Sequence, residues 1–361
     1  MVIGSIHGWE PGRDDIFDVL STRNRDNCLE PMRALREYAL NKGIELHTAD
    51  VVHELGLKPD FNLYVESIPI DTVSPGINCL LLFETPLTVP VNGDYVYLNQ
   101  FDEIFTWNID LLRAKQDGTL RGELDHPVLT EMRIPNPIPK EFLGSSPIFG
   151  FAERPQFACL IGSNRHANLP DDRELYSERV RAIRWFEKNT SDQFFLYGNG
   201  WKLPQKRLGR LGKFIYRLEK VPPFLLNKPL FPSYQGPVIS KQEVLSKTRF
   251  CICYENARDI SGYLTEKIFD CLFAGCIPIY WGEPNIGEWL PSDCFIDFRE
   301  FSSYEDLYQY LTSMTEETFI KMQNIGRDFI LSEPFQIHSS QAFSGKIIDR
   351  IYNQINQKND H

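Results

Sequence analysis

Between Arg249 and Gly282 the chain reads RFCICYENARDISGYLTEKIFDCLFAGCIPIYWG, a polar cluster set between two apolar runs. Phe250 to Tyr254 is an apolar run of strand length, which Glu255-Asn256-Ala257-Arg258-Asp259 then breaks. Thr265 predicts the N-cap of a helix that begins at Glu266. Ile268, Phe269, Leu272 and Phe273 make its apolar face, and Gly275 stands where its C-terminal cap belongs. Cys276 to Trp281 is a second apolar run. Strand, loop, helix and strand in that order belong to an open α/β sheet, where ligands bind outside the carboxyl ends of the strands. The helix start offers unpaired N–H groups and a positive dipole end, which suit a phosphate, and Lys267 adds a full charge there. Taken alone, the same residues equally describe an ordinary capped helix whose dipole Glu266 favours.

A chain of 361 residues predicts two domains, since one core rarely serves so many. A hydrophobic content of 42%, with 13% aromatic, is that of a globular protein. The net charge of −11 argues against nucleic acid as the main partner. MVIGSIHGWEPGRDD has no basic segment followed by a long apolar core, and no run approaches the roughly 18 residues of a membrane span. No secretory signal is therefore expected. Most of the eight cysteines lie in apolar runs and no spacing fits zinc, so buried free thiols in a reducing cytoplasm are expected.

Two α/β patterns follow one another. In the first, Pro31 to Lys42 reads as a helix, and Ile44 to His47, Asn78 to Phe83 and Asp102 to Asn108 as strands. Ile134 to Pro139 and the Gly-Ser-Ser-Pro after it read as a linker. In the second, Phe157 to Gly162, Phe194 to Tyr197 and Phe295 to Phe298 read as strands. Arg173 to Lys188, Ser303 to Met314 and Gln341 to Gln357 read as helices, and a short one ends at Val244 to Lys247. The expected domains are residues 1–150 and 151–340, both Rossmann-like, doubly wound and facing a cleft, with a C-terminal helix, 341–361, packing back on the first. The interval 202–237 differs. It carries Lys202, Lys206, Arg207, Arg210, Lys213, Arg217 and Lys220, then VPPFLLNKPLF. Such a segment can rest on an anionic membrane or bind an acidic acceptor, but a solvated, partly ordered insertion is the favoured reading.

The stretch YENARDISGYLTEKIFDCLFAGCIPIYWG resembles the donor-binding signature of the α-1,3-fucosyltransferases, glycosyltransferase family 10. That signature runs F-E-N, a few residues, Y-[IV]-T-E-K, an apolar helix, then a P-[IV] strand ending in Gly. FACLIGSN (157–164), SERVRAIRWF with Arg179, FFLYG, and EWLPSDCFIDFREFSSYEDLYQYL are similar to further segments of the family. LLLFETPLTVP (80–90) resembles its F-E-S-P stretch, with Glu84 at the Glu. Tyr254 stands where the family has Phe, and the loop from Asn256 to Tyr263 is one residue longer.

The resemblance implies a GT-B fold and inverting transfer of fucose from GDP-β-L-fucose to a sugar hydroxyl, such as O3 of GlcNAc or glucose, on an oligosaccharide or glycan. A relative using another sugar nucleotide, and a non-catalytic sugar-nucleotide-binding protein, stand as alternatives. Lys267 and Arg179 are the candidates for the leaving diphosphate, whose charge grows in the transition state. Glu266 is implied for the ribose hydroxyls, and Asn256 and Tyr263 for phosphate or fucose. Thr265 and Glu255 complete the donor cluster, Glu255 as a brace of the loop. Asn164, with Ser163, follows a strand at its carboxyl end, where turn chemistry competes with donor contact. Glu84 is the candidate general base, an ordinary loop carboxylate being the alternative. No Asp-x-Asp motif occurs, so no metal and no cofactor beyond the donor are expected. By analogy with the family, a cytoplasmic enzyme of glycan assembly is expected, for lipopolysaccharide for example; peripheral contact with the inner membrane face through 202–237 stands as the alternative to a solvated insertion.

Overall fold

The computed structural model describes residues 2–10, 12–66, 73–144, 148–190, 192–226 and 229–359; the side chains of 221–226 and 358–359 are not described. Ser145 to Pro147 of the expected linker and Asn227-Lys228 of the basic interval lie outside the described residues. The chain forms two compact units. One comprises Met1–Pro137 with Pro334–His361, the other Ile138–Glu333. The first division falls inside the Pro-rich stretch 134–139, the second seven residues before 340.

Unit one is built on six parallel strands: β1 (Val2–His7), β2 (Ile44–Thr48), β3 (Phe61–Val65), β4 (Ile77–Leu82), β5 (Glu103–Thr106) and β6 (Val128–Glu131). Their order is β2-β1-β3-β4-β5-β6. β3 and β4 are buried along nearly their whole length because both sheet faces are covered, and the one polar residue in each, Asn62 and Asn78, is hydrogen-bonded to the other. The helix Ser340–Asn359 covers one face. Phe343, Ile347, Ile348, Ile351 and Ile355 form its buried stripe, in one core with Met32, Leu35 and Ala39 of the helix Glu30–Asn41. The same helix carries Arg350, whose Nε lies 3.0 Å from Oε2 of the fully buried Glu103 on β5.

Unit two repeats the design with β7 (Gln156–Ile161), β8 (Phe194–Tyr197), β9 (Tyr234–Gly236), β10 (Thr248–Tyr254), β11 (Ile277–Trp281) and β12 (Ile296–Asp297). The order β12-β11-β10-β7-β8-β9 is the doubly wound arrangement that reverses between its first and fourth strands, here β7 and β10. Phe250 pairs with Ile277 and Ile252 with Ile279, and Cys251 pairs with Cys159 across β7. Seven of the cysteines are buried free thiols and Cys28 is exposed.

Several elements depart from the sequence reading. β12 has two residues, and the second-half helix starts at Tyr176 rather than Arg173, because 171–174 serve as a brace for a loop. β1 and the helix Glu316–Ile330 were not anticipated. The largest correction concerns the basic interval, where Gly209–Leu226 is an 18-residue helix rather than a partly ordered insertion. Its charges mask a helical apolar period. Among the described residues, no helix is long and apolar enough to cross a membrane.

Unit one also holds a pH-sensitive group. His338 is buried, and burial, reinforced by Arg133, pushes its imidazole down to about 4. A base with a depressed folded pKa takes up its proton in the unfolded chain first. Its contribution is therefore complete above about pH 6.5 and disappears as pH falls toward 4. Between about pH 7.5 and 5 the loss is expected to be about 2 kcal/mol. In His338→Gln that part of the acid limb should vanish in denaturant melts at the two pH values. An unchanged difference would assign the limb to other groups.

Candidate functional site

In unit two the chain leaves β10 at Tyr254 and enters a loop that is tied down at both ends. The Leu175 N–H donates to the Asn256 carbonyl at 3.1 Å, and the Arg258 N–H to the Arg173 carbonyl at 2.8 Å. Asp259 sits in the left-handed region with φ 57°, its N–H donating to the Gly282 carbonyl. The loop then runs into the helix Glu266–Phe273.

At its centre is Glu255, fully buried. Its Oε1 accepts the Thr265 N–H at 2.9 Å, and its Oε2 accepts the Thr265 hydroxyl at 2.7 Å and Lys267 Nζ at 3.0 Å. Nζ also donates to Thr265 Oγ1 at 2.8 Å. Thr265 is the N-cap by position, but its side chain makes no cap bond, because the hydroxyl is committed to Glu255 and Lys267. Gly282 permits this packing: a Cβ there would come within 2.4 Å of Glu255 Cγ. That is a reason for the glycine which the family pattern left unexplained. Burial pulls the Lys267 ammonium down, but the Glu255 and Glu266 carboxylates outweigh it and hold the group above its ordinary value.

A second cation lies alongside. Arg179 is buried, stacked over the Tyr176 ring at 5.1 Å, and donates to the Tyr254 carbonyl at 2.7 Å and to Asn256 Oδ1 at 3.0 Å. The Asn256 amide in turn donates to the Tyr263 hydroxyl at 3.0 Å. Arg179, Asn256 and Tyr263 thus form one hydrogen-bonded chain, and Glu255, Thr265 and Lys267 another, with the helices that carry Arg179 and Lys267 both tied to the loop after β10. Glu266 extends outward, half exposed, 3.8 Å from Lys241 and 4.0 Å from Lys267. Partial burial would raise its carboxyl, but the Lys267 and Lys241 ammoniums and a backbone N–H prevail and hold it below its ordinary value.

Asn164 is placed differently. Its amide donates to the carbonyls of Gly200 at 3.2 Å and Leu203 at 2.7 Å, bracing the turn after β8. Its position beyond β7, a switch-point strand, is that of a ligand-facing residue, while the observed bonds are turn chemistry.

Glu84 follows β4 in unit one and its backbone is clamped. Its N–H donates to Glu66 Oε1 at 2.9 Å, and its carbonyl accepts Asn92 Nδ2 at 2.8 Å. Trp107 Nε1 holds the Phe83 carbonyl at 2.9 Å. Glu66 was missed in the sequence. It follows β3, the strand beside β4, adopts φ 62°, and also accepts from the Phe83 N–H and from Asn92 Nδ2 at 3.0 Å. Burial pushes its carboxyl up, the Glu84 charge adds to this, and the hydrogen bonds oppose both. Glu283, after β11, was missed too. It is buried, its carboxyl is raised by burial, and Oε1 accepts the Gly262 N–H at 3.4 Å. The available signal was shared by all four residues: Glu66, Glu84, Glu255 and Glu283 each stand just past the apolar run of a parallel strand.

Residues 233–323, which contain the Glu255–Lys267 cluster, match the family model described as glycosyltransferase family 10 (fucosyltransferase) C-term. The match spans a quarter of the chain. The α-(1,3)-fucosyltransferase FucT of Helicobacter pylori is 36% identical over 74 residues, 20% of this chain and 15% of that protein. GDP-fucose protein O-fucosyltransferase 3 of Bos taurus is 34% identical over 98 residues, 26% of this chain and 20% of that protein. An α-(1,4)-fucosyltransferase of Arabidopsis thaliana is 32% identical over 73 residues, 20% and 18%. The chain therefore spans a fifth or less of the length of these relatives. A crystal structure of an α1,3-fucosyltransferase superposes with a TM-score of 0.51 at 14% identity, over 98% of this chain and 89% of that one. An α-glucosyltransferase in complex with UDP superposes with a TM-score of 0.55 at 12% identity, over 98% and 99%. With two parallel-sheet α/β units, the fold is GT-B.

Proposed function

We propose that the protein transfers L-fucose from GDP-β-L-fucose to a hydroxyl of an oligosaccharide or glycan, with inversion, and that O3 of GlcNAc or glucose is the acceptor atom. The single observation that carries this reading is that two cations from different helices, Lys267 of Glu266–Phe273 and Arg179 of Tyr176–Asn189, are both tied to the loop that follows β10. In the proposed reaction the acceptor oxygen attacks the fucose anomeric carbon from the face opposite the diphosphate. Glu84 takes the hydroxyl proton. The bond from the anomeric carbon to the β-phosphate oxygen breaks and GDP leaves with the electron pair. Lys267 and Arg179 stabilise the charge gathering on that oxygen, so no metal is required for it. Glu266 accepts from the ribose hydroxyls, Asn256 and Tyr263 bear on phosphate or sugar, and Asn164 flanks the donor. The setting proposed is cytoplasmic glycan assembly.

A second reading has one specific observation in its favour: a GT-B neighbour of slightly higher TM-score was solved with UDP. A thermal-shift titration separates the two. Saturation at about a hundred times the dissociation constant adds about 2.7 kcal/mol to folding stability. GDP and GDP-fucose are expected to do so and UDP not. Stabilisation by UDP but not GDP would replace the donor, and GDP stabilisation without transfer to any of a panel of oligosaccharide acceptors would favour a non-catalytic binding protein.

A further inference from the structure

Beyond the transfer reaction, the helix Gly209–Leu226 has a feature that the chemistry does not use. We propose that it lies in the plane of an anionic phospholipid surface and docks the protein there.

The helix is divided lengthwise into three faces. At ~100° per residue, Leu211, Phe214 and Leu218 fall within an arc of roughly 60°. All three are open to solvent, at 71%, 57% and 53% of their full exposure. Arg210, Lys213, Arg217 and Lys220 occupy the adjoining arc and are exposed as well. Gly212 is buried and Ile215, Tyr216 and Glu219 are half-buried, and they make the third side of the helix. Glu219 is already paired there, with Arg207 at 2.6 Å.

Isolated exposed leucines mean little, but a large apolar stripe repeating at helical spacing is a binding surface. Charge complementarity identifies the occupant. In a chain of net charge −11, residues 202–220 carry seven cations and one carboxylate. An apolar stripe flanked on one side by lysine and arginine fits a surface that is anionic at its headgroups and apolar beneath them. The stripe enters the acyl boundary while the long basic side chains remain at the phosphates. A nucleic acid would satisfy the cations and leave Leu211, Phe214 and Leu218 in water. A second copy docked symmetrically through this helix would face the same cations across the contact. The helix is about 27 Å long at ~1.5 Å per residue, and it is not among spans apolar enough to cross a membrane, so it lies on the surface rather than through it.

The test is co-sedimentation of the full chain with phosphatidylcholine vesicles, with and without phosphatidylglycerol. Binding is expected only with the anionic lipid and should weaken steeply as salt rises. Lys213→Gln/Arg217→Gln should lower affinity about tenfold or more, since each basic residue at an anionic surface is worth roughly fivefold. Leu211→Ser/Phe214→Ser should lose a comparable factor, because the stripe's insertion adds to the charge attraction. Both pairs are exposed, so circular dichroism and melting should match the parent chain. Three outcomes would overturn the proposal: no binding to anionic vesicles by the folded chain, binding that neither variant affects, or a dimer in light scattering that Leu211→Ser/Phe214→Ser abolishes. Affinity for DNA with none for vesicles would likewise sink it.

Discussion

Glu84→Gln is expected to reduce kcat for fucosyl transfer roughly a thousandfold, within the range that a positioned general base supplies, while GDP affinity stays within about twofold. The substitution retains the shape of the side chain and removes its charge and its ability to take a proton, which also relieves the repulsion that raises the Glu66 carboxyl. The backbone of Glu84 is fixed by others. Glu66 receives its N–H, Asn92 grips its carbonyl, and Trp107 holds the carbonyl before it. These contacts are made by the Glu84 backbone and its neighbours, so they should survive in the variant. Measurement of kcat, KM and the GDP dissociation constant in the same preparation decides the matter. Retained turnover would show that the base lies elsewhere, and Glu66, the raised carboxyl on the neighbouring strand, would become the next candidate. A parallel loss of turnover and melting temperature would point to a structural role in the 83–89 turn.

The degree to which this arrangement was legible follows from how local its causes are. The segment 249–282 was readable because each of its parts, the apolar runs, the loop and the amphipathic helix, is encoded within a few residues. The structure places them as β10, the 255–265 loop, the helix Glu266–Phe273 and β11. Lys267, Thr265 and Glu255 were recognisable as a cluster, but their mutual bonds were not. A fully buried carboxylate that ties a hydroxyl and an ammonium together depends on the approach of β11 at Gly282, a tertiary fact. The same holds for Arg179, whose partners lie 75 and 77 residues away. Asn164 shows the opposite failure, since an asparagine past a strand end reads alike whether it meets a ligand or braces a turn. The basic interval was misjudged because its charge hid the spacing of Leu211, Phe214 and Leu218. Glu66 carried the strand-end signal, but its contacts did not show: nothing in FNLYVES says that its backbone turns left-handed and swings the carboxylate under Phe83 and Glu84.

Lys267→Ala should weaken GDP binding about 10- to 100-fold, the value of one or two charge-assisted hydrogen bonds of about 1.5–3 kcal/mol. It should also lower the stability of unit two by about 2 kcal/mol, and the two effects have separable causes. The first arises because an ammonium has three donors and the structure commits two, to Glu255 and Thr265, leaving capacity for a phosphate oxygen. The second arises because Glu255 would lose its cation while fully buried. Removing one partner of a buried pair costs about 3–5 kcal/mol, reduced here because Lys267 retains some exposure and Thr265 still donates twice to the carboxylate. The double variant Lys267→Ala/Glu255→Gln isolates the ligand contribution. Neutralising the carboxylate should recover most of the stability, since no unpaired charge remains, but none of the GDP affinity. Calorimetric titration with GDP and a denaturant melt on the parent and both variants read the two quantities independently. If affinity returned together with stability, Lys267 would be a brace for Glu255, and Arg179 would be left as the diphosphate's cation.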